Sequence, residues 1–108
     1  MRRARVACIL AFAGAWSIAI TAQVAITLPP ETAAYRPSDL PGYELVRQNC
    51  VLCHSAQYVL TQPPTMTRAY WDATVKKMKR PFGAPFPEAD IPAMVDYLVR
   101  TYGAERAR

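Results

Sequence analysis

The sequence predicts a small all-α domain, about three helices preceded by an extended N-terminal arm. Two observations carry this. Apolar residues recur at helical spacing in two segments: Trp71, Val75 and Met78 at i, i+4 and i+7, then Ile91, Met94, Val95, Leu98 and Tyr102 at i, i+3, i+4, i+7 and i+11. Proline clusters at 29–41, 63–64 and 81–87 punctuate the chain around them. No convincing strand, repeat or Gly-rich phosphate loop is present, and the hydroxyls and carboxylates form no recognisable catalytic set.

The chain opens Met1-Arg2-Arg3-Ala4-Arg5, followed by a mostly apolar run from Val6 to about Ile20 with small residues near its end. This pattern predicts a secretory signal peptide over residues 1–22, cleaved after Ala22 or Ala19. The competing reading is an uncleaved anchor, but the run is short against the roughly 20 residues a span needs and contains Ser17. Cys8 lies too early in the run for a lipid anchor and would leave with the signal. Removing 22 of 108 residues leaves 86, one domain near the lower size limit for a self-sufficient core. It also removes three arginines, so ten basic residues then face eight acidic ones. The high overall charge therefore belongs mostly to targeting and makes no case for nucleic-acid binding.

Residues 23–41 hold Pro29, Pro30, Pro37 and Pro41 among Thr, Ala and Ser. Proline lacks an amide donor and disfavours helix in the residue before it, so an extended arm without a core of its own is expected. Two readings stay open for it: a disordered leader, or an arm lying along a partner protein. The domain proper is expected over 42–108. Tyr43, Leu45 and Val46 offer an apolar side to a short helix over 42–49, which Pro41 suits as a start. Residues 55–67 read as a loop, and a second helix runs from Arg68 to about Lys79. The aromatic, proline-rich stretch 81–87 breaks it. Glu88, Ala89 and Asp90 then lead the last helix, where acidic residues favour the helix dipole, and Gly103 is a natural stop.

Between the first helix and the loop stand Cys50, Val51, Leu52, Cys53 and His54. This is C-x-x-C-H, the attachment sequence for a c-type haem. Two thiols two residues apart can form thioethers to the vinyl groups of one haem, and the following histidine is carried under the iron as an axial ligand. A thiol–disulfide pair or half a zinc site would use the same cysteines. Zinc needs two more ligands, yet Cys8 is the only other cysteine and His54 the only histidine. One haem c is therefore the expected cofactor. Haem attachment and an export signal together point to the bacterial periplasm.

An electron carrier needs a second axial ligand, and Met66, Met78 and Met94 are the candidates. Met94 sits on the apolar stripe of the last helix and reads as core. Met78 lies 24 residues after His54, far enough for the chain to travel round a haem edge, whereas Met66 lies only 12 residues on. Met78 is the expected iron ligand, with Met66 the alternative. Lys76, Lys77, Lys79 and Arg80 surround Met78, either as a solvated face or as a basic collar that pairs with haem propionates or steers an acidic partner.

Over roughly 42–103 the chain resembles class I cytochromes c. Gly42 stands eight residues and Val46 four residues before Cys50, and Tyr97-Leu98 looks like the aromatic-leucine pair of that family's last helix. The resemblance implies a class I cytochrome c fold, with Gly42 allowing the first helix to pack closely on the last. The chain is similar in particular to the haem subunits of bacterial periplasmic sulfite dehydrogenases. Cys50 to Ser55, Gln62-Pro63-Pro64, Trp71 with Val75, Lys77 and Met78, Phe82 to Pro85, and Tyr97, Leu98, Tyr102 and Gly103 carry that likeness. It implies one-electron transfer from a larger molybdenum-containing dehydrogenase subunit to a downstream cytochrome c or oxidase. It also implies Met78 as ligand and a Pro63 or Pro64 carbonyl against the free nitrogen of His54. Nothing in the chain itself can bind molybdenum or sulfite. The alternatives are a free-standing electron shuttle and, in another class, a thiol–disulfide enzyme using Cys50 and Cys53.

Overall fold

The computed structural model describes residues 25–107, and among them the only regular secondary structure is helical. Four helices follow in order: α1 (Gly42–Asn49), α2 (Gln57–Leu60), α3 (Arg68–Lys79) and α4 (Ile91–Thr101). Turns of 3-10 helix at Cys50–Leu52 and Glu88–Asp90 extend α1 and lead into α4. The expected signal peptide over 1–22, with Cys8, lies outside the described residues. No described helix is long and apolar enough to cross a membrane.

Helix α4 is the centre of the packing, with α1 and α3 both against it. Ile91, Met94, Val95, Tyr97, Leu98 and Val99 are all buried, and burying an apolar side chain of this size contributes roughly 1.5–3 kcal/mol. Pro92 is tolerated because it falls in the first turn, where an amide has no intrahelical partner. At the α1–α4 crossing a side chain on Gly42 would overlap the Ala93 carbonyl and lie 2.8 Å from Tyr97 Cβ. Glycine here permits close approach of two backbones, as the resemblance implied. Val46 is fully buried at the same crossing, and the Tyr43 and Tyr97 rings sit 5.6 Å apart.

Helix α3 has the bounds that its apolar stripe predicts. Thr67 caps it, its hydroxyl accepting the Tyr70 amide at 3.3 Å, and Trp71, Thr74 and Val75 face inward. On the surface Arg68 reaches Asp96 at 2.8 Å and Glu105 at 2.5 Å. All three are well solvated, so this link contributes little to stability.

Three expectations are corrected. Residues 55–67 are not all loop: α2 makes one turn, with Val59 buried beneath it and Gln62 closing it through its side-chain amide to the Tyr58 carbonyl at 3.1 Å. Gly103 is not a left-handed helix stop, since among the described glycines only Gly83 has a positive φ. It is needed for space, because a Cβ there would lie 2.5 Å from the Met66 carbonyl oxygen and 2.6 Å from Trp71 Nε1.

The third correction concerns the arm. It is extended, but its second half packs on its own domain, so the folded unit begins near residue 33 and not at 42. Tyr35 is only 4% exposed. The Arg36 amide donates to Tyr102 Oη at 2.6 Å, and Tyr97 Oη donates to the Arg36 carbonyl at 2.7 Å. The Arg36 guanidinium lies over the Tyr102 ring, 5.4 Å from its centre. Residues 33–40 thus form a strap across α4, while Ile26 and Leu28 stay exposed. Tyr97→Phe should lower stability by about 1 kcal/mol, the worth of a partly buried hydrogen bond. Chemical denaturation reads this directly, and a change of only a few tenths would mean that apolar packing alone holds the strap.

Candidate functional site

The 3-10 turn that continues α1 presents Cys50 half-buried and Cys53 exposed, both as free thiols. His54 follows, exposed, with Nδ1 3.1 Å from the Ser55 carbonyl oxygen. A carbonyl only accepts, so this contact places a proton on Nδ1, and it is Nε2 that a neutral ring would offer to a metal. The partner is not the proline carbonyl that the resemblance implied. The Pro63 carbonyl instead accepts the Met66 amide at 3.1 Å.

These residues open onto a recess of about 400 Å³ lined by Asn49, Cys50, Cys53, His54, Met78, Phe82, Ala84 and Phe86. That lies within the roughly 300–1,000 Å³ usual for small-molecule and cofactor sites. A deeper, nearly filled part of about 30 Å³ continues to Trp71, Val75, Met94 and Leu98 of the core. Met78 borders both parts. It is brought there by the end of α3 and by the loop that follows: the Ala84 amide bonds back to the Met78 carbonyl at 3.0 Å. Gly83 makes this return possible. Its φ of 69° lies in the left-handed region, and the space around it is open, so glycine serves conformation here. Phe86 is buried in the wall, whereas Phe82 stands 70% exposed at the rim.

Met66 borders neither part of the recess. Its carbonyl is engaged by the Ala104 amide at 2.9 Å, on the side of the molecule where Gly103 packs. Met94 is fully buried. The structure therefore brings Cys50, Cys53, His54 and Met78 to one apolar recess and leaves Met66 outside it. No family model matches this chain, and no curated protein matches it.

The basic cluster beside Met78 is largely engaged within the chain. Lys76 pairs with Asp72 at 2.6 Å and Arg80 with Glu88 at 3.2 Å, while Lys79 donates to the Ala84 carbonyl at 3.2 Å and lies over the Phe86 ring. Arg80 in turn holds the Glu88 carboxyl below the usual carboxylate range. The cluster therefore braces the loop against α3.

Burial pushes the Cys50 thiol up to about 11, with a hydrogen bond from Tyr35 opposing it and Cys53 adding to it. An attacking thiol in a disulfide enzyme needs the opposite shift. Among the described residues no three His, Cys, Asp or Glu side chains converge to hold a bare metal ion. The donor set suits a covalently tethered haem: two adjacent free thiols, an imidazole with Nε2 available, and a thioether bordering the same apolar recess. Sequence reasoning missed Tyr35, Phe86 and Thr74 as lining residues. Phe86 was visible only as part of an aromatic loop, and Tyr35, on the proline-rich arm, could be read only as an apolar contact for a partner.

Proposed function

We propose that the chain is a monohaem c-type cytochrome of class I fold that passes single electrons in the periplasm, as the haem subunit of a sulfite dehydrogenase. The observation that carries this reading is the Cys50–His54 motif and Met78 bordering a single apolar recess. Cys50 and Cys53 would hold the haem through their sulfurs, and His54 and Met78 would be its axial iron ligands. When bound, the haem supplies a one-electron Fe(III)/Fe(II) couple whose potential is raised by His/Met ligation. The chain's own residues would supply both iron ligands, with Phe86, Trp71 and Val75 lining the recess against water and Lys79 and Arg80 bracing the Met78 loop. Substrate chemistry belongs to a larger molybdenum-containing subunit, and a downstream cytochrome c or oxidase accepts the electron. Exposed Ile26 and Leu28 on the free part of the arm, with Val51, Leu52 and Phe82 around the recess, are the apolar surfaces such a partner would cover.

A second reading, a free-standing shuttle, is favoured by one observation: Tyr35 and Leu40 bury their apolar surface on their own domain and not on a partner. One preparation tests both. Full-length protein made with periplasmic haem-attachment machinery is expected to stay coloured after acid–acetone extraction and to show a c-type α band on reduction. The native protein should travel with a larger subunit on size exclusion. A coloured protein at monomer mass would establish the shuttle. A colourless one that cycles between dithiol and disulfide would overturn the haem reading altogether.

A further inference from the structure

The haem reading leaves one pair of cations without a role. Among the described residues, Arg47, Arg68, Arg80 and Arg100 each hold an ion pair. Arg36 and Arg106 hold none there, and both border one cleft of about 170 Å³ between α2 and the C-terminal end of α4. No Asp or Glu lines this cleft. Its other polar groups are spent within the chain. The Gln62 side-chain nitrogen donates to the Tyr58 carbonyl at 3.1 Å, and its oxygen accepts from Tyr70 Oη at 2.6 Å. The Thr101 carbonyl accepts one Arg36 nitrogen at 3.2 Å. That bond and the Tyr102 ring beneath it hold the Arg36 guanidinium in place, with its other N–H groups left for a ligand. A planar guanidinium that is fixed beforehand loses little freedom on taking a carboxylate.

We propose that this cleft docks a short acidic segment of a partner protein, its carboxylates taken by Arg36 and Arg106 and an apolar neighbour laid on Leu60. Charge complementarity supports this occupant, since two cations without a counter-ion share one opening that holds no carboxylate. The walls support it too. Val59, Leu60 and Pro64 make them largely apolar, and Leu60 is 47% exposed. A strongly hydrated free oxyanion gains nothing from such a wall, whereas a peptide carries both kinds of group. The cleft shares no lining residue with the outer recess at Cys53, Met78 and Phe82. A segment seated in it therefore leaves that opening clear, and the inference stands apart from the haem reading.

The test is fluorescence anisotropy on the full chain, with a labelled peptide of alternating glutamate and leucine and a counterpart in which glutamine replaces glutamate. The wild type should bind the glutamate peptide and not the counterpart. Arg36→Gln and Arg106→Gln should each weaken binding about fivefold, the scale of an exposed ion pair. Lys77→Gln removes the same charge from an exposed side chain outside the cleft and should leave binding near its wild-type value. Should Arg36→Gln disturb the strap and fail to accumulate, Arg106→Gln decides alone, because its side chain is exposed and braces no other element. No binding by the wild type, equal binding of the glutamine peptide, or an equal loss in Lys77→Gln overturns the inference. Displacement of the peptide by millimolar inorganic phosphate, or by phosphatidylglycerol vesicles, would give the cleft to another anion and equally overturn it.

Discussion

Gly42→Ala is expected to remove more than about 3 kcal/mol of stability, at the upper end of what overpacking costs. In an exposed helix the same change would help by up to about 1 kcal/mol, because alanine is the better helix former. Here the added Cβ would overlap the Ala93 carbonyl oxygen and lie 2.5 Å from its carbon. Backbone of α4 cannot rotate aside as a side chain can, so α1 and α4 must separate. That separation loosens Val46, Tyr43 and Tyr97 together. A small domain has only about 5–15 kcal/mol in total, so the loss is a large fraction. The measurement is the denaturant midpoint, with Gly83→Ala as the contrast. Position 83 has open space and a φ of 69°, so only backbone strain of about 1–2 kcal/mol applies there. Equal effects at the two glycines would mean that the α1–α4 crossing is softer than its geometry implies.

Met78→Ala is expected to have the largest functional effect. With the haem attached, it should abolish the weak near-infrared band of Met–Fe(III) coordination. The reduction potential should drop by a substantial part of the about 0.8 V that axial ligands span. Under the proposed function a methionine ligand would favour the reduced iron, and its loss would open the position to water or another donor. Met66→Ala is the control. Its side chain borders neither part of the recess, so band and potential should stay at wild-type values. The reverse pattern would make Met66 the ligand and would require the 63–66 turn to leave the Ala104 amide that it now accepts.

Much of the architecture was legible in the residues. The spacing of Trp71, Val75 and Met78, closed by Pro81, marked α3 to its observed ends. The stripe from Ile91 to Tyr102 marked α4, and each of its members is buried. Helix α2 was not legible, because four residues do not complete enough turns to show a period. The basic residues around Met78 could be read only as a solvated face or a collar. Their engagement by Asp72, Glu88 and the Ala84 carbonyl depends on how the loop folds back.

By itself the sequence marked α1, α3 and α4 and supplied the motif on which the haem proposal rests. Helical periodicity and the C-x-x-C-H spacing are local properties, set by residues a few positions apart. Only the tertiary structure decided that Met78 and not Met66 borders the recess, that Gly103 is there for space, and that the arm is a strap. These depend on contacts between residues far apart in the chain, such as Arg36 with Tyr97 and Tyr102, 61 and 66 positions away. No local propensity encodes such contacts. They arise when the helices pack and leave one face of α4 for residues 33–40 to cover.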